Sequence, residues 1–347
     1  MRGGGSERVM STLISNLDIH KYDVTLVLIK KEGRYLNDLP KDLKIIDLNS
    51  KKTRYAIFKI INIIRTQKAD MVFSTLSYLN LLIAVIRPFF SKNIKFIARE
   101  TNTVSVKNKY QPYPRLFDWL YKTFYNNFDL IISQSEYMKQ DLIKNYNIQK
   151  SKIKVINNPV NIKKIDFFSK EKINIFDTNN VNLLAVGSMS EQKGFDLLLK
   201  TFEKLDCKYF LTILGQGKGL HGIKQLAGEL NVLDRVNFLG FQDNPYVYMK
   251  QADLFVLSSR YEGFPNVVLE ANACGTPVVA FDCPGGTREI IVDGVNGLMA
   301  KCQDIDELAL RIEEVVNTKF DYEKIIKNTE CKYGLKKIIT QYEGFLC

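Results

Sequence analysis

Short apolar runs rich in valine and isoleucine alternate along the chain with longer segments in which apolar residues recur every three or four positions. This alternation is typical of an α/β fold with mostly parallel sheets. The predicted strands are 24–29, 44–48, 71–74, 94–98, 129–133 and 153–157 in the first half, and 181–186, 208–214, 235–239, 253–257 and 277–281 in the second. Helical spacing predicts helices over 53–66, 77–87, 114–126, 135–146, 193–205, 219–230, 264–274 and 304–317.

A polar, lysine-rich stretch over 158–180 separates the two halves and predicts a linker, because its periodicity is weak. We therefore expect a first domain over 1–160, a second over 161–320, and a C-terminal helix over 321–347 that crosses back to the first domain. The 347 residues are enough for two domains of ordinary size. Two doubly wound domains would place a cleft at the carboxyl ends of both sheets.

The amino-terminal region opens on a glycine-rich turn at 3–5, and a helical pattern with Val9, Leu13 and Leu17 on one face follows at once. A doubly wound domain normally opens on a hydrophobic strand that leads into such a turn. We therefore expect a first strand upstream of residue 1. The alternative is a fold that tolerates a short start.

The composition, with 46% hydrophobic and 25% charged residues, is that of a globular protein. The most apolar segment, 76–90, is interrupted by Asn80, Arg87 and Pro88, so it predicts a buried helix rather than a membrane span. Six cysteines without metal-ligand spacing and only two histidines predict no metal site. We interpret the cysteines as reduced thiols of a cytoplasmic protein.

The net charge of +11 is uneven: residues 1–170 hold 30 Lys/Arg against 14 Asp/Glu, and residues 171–347 hold 19 against 24. The positive first half favours an anionic partner, such as phospholipid head groups, a lipid pyrophosphate or nucleic acid. The alternative is a lysine-rich composition without such a partner. Segment 107–128, which includes Trp119, interleaves basic and aromatic residues. It predicts either a membrane interface or a core helix with a basic face.

The most informative stretch is 258–280, where a predicted strand ends at a turn with Gly263 and Pro265 and a helix begins near Asn266. A helix that starts just after a strand offers free N–H groups to phosphate or sugar oxygens. Glu262 before the helix and Glu270 inside it can accept hydrogen bonds from sugar or ribose hydroxyls. We favour this binding role over the alternative, in which Glu270 only caps or solvates the helix. The turn at 283–287 is a second candidate for contacts to phosphate or sugar. The alternative is a turn with a structural role only.

Two glutamates separated by seven residues within EGFPNVVLEA resemble the signature of the retaining glycosyltransferases of family 4. Further strings stand in the order of that family: GGGSERV at 3–9, ISQSEYMKQDL at 132–142, KVINNPVN at 154–161, AVGSMSEQKGFDLLL at 185–199, LGQG at 214–217 and PGGTREIIVDGVNGLMA at 284–300. The resemblance covers nearly the whole chain. It implies an α/β fold of the GT-B kind, with two Rossmann-like, doubly wound domains facing across a cleft.

The resemblance also implies roles for individual residues. Glu270 would bind the ribose hydroxyls of the nucleotide, Glu262 would face the donor sugar, and Lys193 would neutralise the leaving diphosphate. Gly4 and Gly5 would bring first-domain backbone against the same diphosphate. Such enzymes use a nucleotide-sugar co-substrate and need no metal. Sugar hydroxyls and phosphate would be held by the backbone of Gly263, Phe264, Pro265, Asn266 and Val267.

Two positions depart from the family pattern. Ser188 stands where the family usually has an arginine, so the diphosphate lacks one bidentate partner. Candidates to replace that arginine are Arg2, Arg99 and Arg260. The first domain has no histidine in 98–103 where many members have one. Arg99, Glu100 and Asn102 are the candidate acceptor-positioning residues there, and the alternative is a plain surface loop.

The sequence thus predicts a retaining hexosyltransferase that moves a hexose or N-acetylhexosamine from a nucleotide-diphosphate donor, UDP by family frequency. The expected acceptor is a glycan on a polyprenyl pyrophosphate, in lipopolysaccharide or capsule synthesis. The enzyme would be peripheral on the inner face of the cell membrane. An epimerase of the same fold is disfavoured by the scarcity of histidine. A non-catalytic nucleic-acid-binding protein is disfavoured because no helix-turn-helix, zinc-finger or RNA-binding signature is present.

Overall fold

A computed structural model describes residues 4–18 and 21–346 of the chain. The chain divides into two units. The first comprises the described residues of Met1–Pro159 and Lys336–Cys347, and the second comprises Val160–Leu335. Both are built from alternating strands and helices with parallel pairing, as the hydrophobic pattern predicts.

The first unit contains two parallel sheets in its described residues. One pairs β1 (Thr25–Leu28) with β2 (Lys44–Asp47), and the other has the order β3-β4-β5-β6. The strands of the second sheet are β3 (Met71–Thr75), β4 (Lys95–Arg99), β5 (Leu130–Ser133) and β6 (Ile153–Val155). The helices before residue 160 are α1 (Gly5–Ile14), α2 (Ile57–Thr66), α3 (Ser77–Ile86), α4 (Val104–Lys109), α5 (Pro114–Phe124) and α6 (Glu136–Tyr146).

The second unit has one six-stranded parallel sheet with the order β12-β11-β10-β7-β8-β9. Its first strand therefore lies in the centre, which is the doubly wound arrangement. The strands are β7 (Val181–Val186), β8 (Tyr209–Leu214), β9 (Val236–Gly240), β10 (Leu254–Leu257), β11 (Val278–Asp282) and β12 (Gly297–Lys301). The helices are α7 (Ile162–Phe168), α8 (Phe195–Glu203), α9 (Leu220–Glu229), α10 (Tyr246–Gln251), α11 (Asn266–Ala273), α12 (Thr287–Ile290), α13 (Ile305–Val316) and α14 (Tyr322–Tyr333).

Successive side chains of each strand point to opposite faces of the second sheet, so both faces carry apolar residues. Helices cover both faces. Leu183 of β7 belongs to the core that includes Phe202 of α8 and Ile312 of α13. Its neighbour Leu184 belongs to the opposite core, with Val268 of α11. Short 3₁₀ turns connect elements of both units at Arg34–Leu36, Thr53–Ala56, Arg87–Phe89, Tyr125–Asn127, Lys150–Lys152, Glu191–Lys193 and Leu233–Arg235.

The apolar segment 76–90 contains α3 and the 3₁₀ turn Arg87–Phe89, and the prediction of a buried helix there is confirmed. Leu81, Ile83 and Ile86 lie in the core of the first unit. Arg87 is buried beside them, and its guanidinium donates to the carbonyls of Phe90 and Ser91. Among the described residues, no helix is both long enough and apolar enough to cross a membrane.

The carboxyl-terminal region contains two helices, so the single helix expected over 321–347 is wrong. α14 belongs to the second unit, whereas α15 (Leu335–Leu346) packs on the first. Gly334 separates them, because its ψ of 142° is not helical and ends α14. A Cβ at this position would lie 2.5 Å from the carbonyl oxygen of Glu330. α15 is fixed by Tyr342, whose hydroxyl accepts from Arg99, and by the Phe345 carbonyl, which accepts from Lys95 at 2.5 Å.

The segment 158–180 is not simply a linker, because it contains α7. The side chain of Asn161 caps this helix by accepting from the N–H of Lys164 at 3.0 Å. Ile165 is buried in the core of the second unit. Strand β12 has no counterpart among the predicted strands, because its sequence GLMAK is short and opens on a glycine.

Candidate functional site

The loops that follow β7 and β10 lie side by side at the carboxyl edge of the second sheet. The two strands are neighbours, and the strand order reverses between them. Such a reversal is the position where open α/β sheets bind ligands. The loop after β7 covers 187–194, and the loop after β10 covers 258–265.

Hydrogen bonds hold these two loops together. The N–H of Arg260 donates to the carbonyl of Gln192 at 2.8 Å, and the hydroxyl of Ser258 donates to the carbonyl of Lys193 at 3.0 Å. Gly194 has a φ of +62°, and a Cβ at this position would lie 2.1 Å from the carbonyl oxygen of Ser258. Only glycine permits this approach, which places Lys193 against the second loop.

Lys193 and Glu262 form an ion pair, with Nζ 2.6 Å from Oε1. The same Oε1 accepts from the hydroxyl of Ser259 at 2.7 Å. The side chains are only 19% and 7% exposed, respectively, so water screens their attraction little. The structure thus brings together the two charged residues expected at the donor sugar and the leaving diphosphate. The sequence prediction gave Ser259 no role in the site. Its position three residues before Glu262 could have indicated a local hydrogen bond to that carboxylate.

The turn at 283–287 supports the backbone of Glu262. The N–H of Glu262 donates to the carbonyl of Pro284 at 2.9 Å, and the N–H of Gly286 donates to the carbonyl of Gly263 at 2.7 Å. Gly285 has a φ of +137°, and a Cβ there would lie 2.2 Å from the carbonyl oxygen of Glu262. Burial and the charge of Glu262 raise the pKa of the Cys283 thiol to about 12. This turn therefore has a structural role in the site.

Helix α11 begins at Asn266, directly after Pro265. Phe264 and Pro265 are buried, whereas Asn266 and Val267 are partly exposed and leave the start of the helix accessible. Glu270 lies one turn further and is also buried. The unsatisfied N–H groups and the positive dipole end of such a helix favour an anion.

Arg260 is engaged within the site rather than available for a diphosphate. Its guanidinium makes two hydrogen bonds to the carboxylate of Asp196, at 2.8 and 2.7 Å, and one to the carbonyl of Glu191 at 2.8 Å. Hydrogen bonds from Arg260 lower the pKa of Asp196. The interpretation of Arg260 as the replacement for the arginine missing at Ser188 therefore does not fit this conformation. Ser188 itself is exposed, with its hydroxyl 3.1 Å from that of Ser190.

Arg99, at the end of β4, is fully buried in the first unit. Its guanidinium donates to the amide oxygen of Asn158 at 2.5 Å and to the hydroxyl of Tyr342 at 3.1 Å. Arg99 therefore connects β4 to α15. A role as an acceptor contact or as a diphosphate ligand does not fit this burial. The third candidate for that role, Arg2, lies outside the described residues.

Glu100 is also fully buried. Its carboxylate accepts hydrogen bonds from Asn80 and Ser77 of α3, and from the hydroxyls of Tyr121 and Tyr125. Burial, and then the charge of Glu100, raises the pKa of both tyrosines. This network is internal to the first unit, so an acceptor contact by Glu100 does not fit this conformation either.

Three further predicted site residues lie in the first unit. Asn102 is partly exposed, and its side chain accepts from the N–H of Thr103. Gly4 caps α1, which begins at Gly5, and the N–H of Gly4 donates to the carboxylate of Glu7 at 2.8 Å. In the described part of the chain, no group of three or more candidate metal ligands comes together.

Two family models together cover most of the chain: Glycosyltransferase Family 4 over residues 3–164 and Glycosyl transferases group 1 over residues 166–332. The N-acetylgalactosamine-N,N'-diacetylbacillosaminyl-diphospho-undecaprenol 4-alpha-N-acetylgalactosaminyltransferase of Campylobacter jejuni is 30% identical over 311 residues, 86% of this chain and 83% of that protein. The chain therefore belongs to the glycosyltransferase family that these two models and this relative represent. The predicted family and enzyme class are therefore confirmed.

Two further proteins resemble this glycosyltransferase. An uncharacterized glycosyltransferase of Methanocaldococcus jannaschii is 33% identical over 252 residues, which are 69% of this chain and 62% of that protein. The crystal structure of Anabaena HepE in complex with UDP-glucose has a TM-score of 0.82 against this chain, at 19% identity. The match covers 99% of this chain and 96% of HepE. The likeness confirms the predicted GT-B fold with two Rossmann-like domains.

Proposed function

We propose that this glycosyltransferase transfers a hexose or N-acetylhexosamine from a UDP-sugar, with retention of anomeric configuration, to a glycan on a polyprenyl diphosphate. The product would be a bacterial surface polysaccharide, such as lipopolysaccharide or capsule. The observation that carries the proposal is the Lys193–Glu262 pair beside the start of α11. The Campylobacter relative, whose name describes transfer of N-acetylgalactosamine to a diphospho-undecaprenol-linked acceptor, supports the acceptor class.

The chemistry requires negative charge to be stabilised as the nucleoside diphosphate leaves. Lys193 supplies a cation, and the first N–H groups of α11 supply a positive dipole end. Both lie at the carboxyl edge of the second sheet and are fixed before a donor arrives. Such fixed charges can act where other transferases use a metal ion, so the proposal assigns the nucleotide sugar as co-substrate and no metal.

The two glutamates would bind different parts of the donor. Glu262, held by Lys193 and Ser259, would accept hydrogen bonds from hydroxyls of the donor sugar. Glu270, inside α11, would accept hydrogen bonds from the ribose. Hydrogen bonds to a carboxylate are worth about 1.5–3 kcal/mol each, so both contacts would contribute to donor affinity. The backbone from Gly263 to Val267 would bind the remaining sugar and phosphate oxygens.

Donor binding can be tested by thermal stabilisation with a panel of UDP-, GDP- and dTDP-sugars. A ligand at about 100 times its dissociation constant adds roughly 2.7 kcal/mol to the stability of the folded state. We expect UDP-sugars to stabilise the wild type, and Glu270→Gln to lose most of this shift. Lys193→Ala should remove turnover while the protein stays folded. Glu203→Gln and Lys200→Ala, on the exposed side of α8, are the matched controls.

Full turnover in Glu270→Gln and Lys193→Ala would reject the assignment of the site. Stabilisation by none of the nucleotide sugars would reject the donor class. The configuration of the product, read by NMR from the anomeric proton, tests retention separately. An inverted product would contradict the retaining mechanism while leaving the donor site intact.

The basic first unit also supports peripheral binding to an anionic membrane. Tyr113, Leu116 and Trp119 on the α5 side are 69%, 51% and 55% exposed, and Arg115 and Lys122 lie among them. Aromatic rings and basic side chains suit the interface between lipid and water. The exposed positions favour the membrane-interface interpretation of 107–128 over a core helix, although Tyr121 on the opposite side is buried.

Vesicle sedimentation tests the membrane proposal. We expect binding to vesicles with anionic phosphatidylglycerol and weaker binding to purely zwitterionic vesicles. Trp119→Ser combined with Leu116→Ser should reduce binding, whereas Leu310→Ser, at an even more exposed position of the second unit, should not. Equal sedimentation of the two variants would contradict the proposal, as would a preference for duplex DNA over vesicles at physiological salt.

A further inference from the structure

A glycine-rich loop follows β8 over 215–219 and lies directly against the loop after β7. The N–H of Gly219 donates to the carbonyl of Met189 at 3.1 Å. A Cβ at Gly217 would lie 2.9 Å from the backbone nitrogen of Met189, and a Cβ at Gly219 would lie 2.8 Å from its oxygen. These glycines therefore permit the two loops to touch. Lys218, between them, supplies the positive charge of this loop.

The contact between the two loops also positions Lys193. A Cβ at Gly187 would lie 3.2 Å from Cγ of Lys193, so the lysine side chain packs on this glycine. The carbonyl oxygen of Gly187 in turn lies against Gly215, where a Cβ would be only 1.7 Å away. Lys218 follows Gly215 by three positions, and three residues of chain span at most about 11 Å. The backbone of Lys218 is therefore close to the side chain of Lys193.

The cations in the loops after β7 and β10 each have an acidic partner. Lys193 pairs with Glu262, and Arg260 pairs with Asp196. Lys218, by contrast, is exposed and has neither an ion-pair partner nor a hydrogen-bond partner for its ammonium among the described residues. A nucleoside diphosphate brings several negative charges, so the paired cations compensate it incompletely. This edge of the sheet therefore needs a further positive charge when the donor binds.

Lys218 is better placed to supply this charge than the arginines of the chain discussed above. Arg260 is held by an aspartate of the second unit, and Arg99 is fully buried in the first. Arg288, at the start of α12, also pairs with an aspartate. Lys218 alone of these four combines an unpaired charge with a position on a loop that contacts the loop of Lys193, within the described part of the chain.

We propose that Lys218 binds the diphosphate of the nucleotide donor and so supplies the positive charge that is missing at Ser188. This inference rests on the function proposed above, because it concerns the same donor site. Lysine carries a compact charge on a flexible stem, so an exposed Lys218 can move onto the diphosphate when the donor binds. The charge absent from the loop after β7 is thus replaced from the loop after the neighbouring strand, β8.

The test is titration calorimetry of the full chain with UDP, and with GDP and dTDP as further probes. Farnesyl diphosphate is titrated separately as a probe for the diphosphate of the acceptor. Lys218→Ala removes the charge, and Lys218→Arg keeps it. The matched control is Lys200→Ala, which removes an exposed lysine of α8. Each protein is titrated at low and at high salt, because ions screen an exposed charge.

We expect Lys218→Ala to bind the nucleoside diphosphate about tenfold more weakly at low salt, which is the effect of losing one hydrogen bond between charged groups. The difference from the wild type should shrink at high salt. Lys218→Arg should keep most of the affinity, and Lys200→Ala should match the wild type. Without ligand, all four proteins should have the same melting temperature, because the exposed lysines have no partner to lose.

Equal affinities of the wild type and Lys218→Ala would overturn this inference alone, since the donor site would still be intact. A wild type that binds none of the three nucleoside diphosphates would overturn the proposed donor class as well. A loss that is the same at both salt concentrations, or that Lys218→Arg does not restore, would contradict a role of the charge. Weaker binding of farnesyl diphosphate with unchanged binding of UDP would assign Lys218 to the acceptor instead of the donor and overturn the inference.

Discussion

Lys193 and Glu262 are 69 positions apart in the chain, yet their charged groups lie 2.6 Å apart at the carboxyl edge of the second sheet. The contact depends on backbone: Gly194 brings the loop after β7 against Ser258. A pair this close and this little exposed should act as a unit. Removing one partner leaves the other charge poorly compensated, which destabilises proteins more than removing both.

A double-mutant cycle should show this coupling. We expect Lys193→Met and Glu262→Gln each to lower the free energy of unfolding, and the double variant to lose less than the sum, with a coupling of about 1–3 kcal/mol. Urea unfolding of the four proteins measures it. The exposed pair Lys170–Asp166 serves as control and should couple by less than about 1 kcal/mol. Additive effects at Lys193 and Glu262 would show that the contact is not energetically significant.

Gly285 should be among the glycines least tolerant of substitution. A methyl group there would lie 2.2 Å from the carbonyl oxygen of Glu262, and the φ of +137° is strained for any other residue. We expect Gly285→Ala to destabilise the protein by about 4 kcal/mol or more, the range of severe backbone conflicts. Gly228→Ala in α9, where a methyl group meets nothing within 4 Å, should be neutral or stabilise by about 0.5–1 kcal/mol. Similar melting temperatures for the two variants would contradict this expectation.

Hydrophobic periodicity predicted eleven of the twelve described strands, because Val- and Ile-rich runs such as those of β7 and β11 are long and uninterrupted. It missed β12 and the short helices α4, α7 and α10, because elements of five to seven residues are too short to show a hydrophobic period. The EGFPNVVLEA string predicted the turn and the helix of the site, since the Gly, Pro and Glu positions there are local signals.

The partners of charged residues could not be predicted in the same way. Arg260 and Arg99 were both candidates for a diphosphate ligand, because a sequence shows a charge but not its neighbour. Asp196, the partner of Arg260, is 64 positions away, and Tyr342, a partner of Arg99, is 243 positions away. Only the assembled sheets bring these groups together.

The Arg260–Asp196 pair should make stability depend on acidic pH. Hydrogen bonds from Arg260 hold the pKa of Asp196 below its usual 3.8. A lowered carboxyl pKa adds stability that is present above 3.8 and is lost as the pH falls through the folded-state value. The difference in urea midpoint between the wild type and Arg260→Met should therefore be full at pH 7 and narrow below pH 3.8. Arg311→Met, at a more exposed pair with Glu314, is the control and should show a small difference throughout. A difference for Arg260→Met that stays constant with pH would contradict the assigned cause.

The buried tyrosines around Glu100 should have the opposite effect at alkaline pH. Tyr121 and Tyr125 both donate to the carboxylate of Glu100, and burial and its charge raise the pKa of each well above 10.0. The folded protein keeps both phenols neutral, while the unfolded chain ionises them near pH 10.0. Their contribution is complete below that pH and is lost as the pH rises above it.

The free energy of unfolding should therefore fall as the pH rises past 10.0, and Tyr121→Phe combined with Tyr125→Phe should flatten this fall. At neutral pH the double variant should be less stable by about 1.5–3 kcal/mol for each lost hydrogen bond to a charged group. Tyr113→Phe, at a position that is 69% exposed, is the matched control and should change neither value. An alkaline slope in the double variant equal to that of the wild type would mean that other groups determine the alkaline limit. A slope that responds to Tyr121 and Tyr125 would show that the Glu100 network sets the upper pH limit of the first unit.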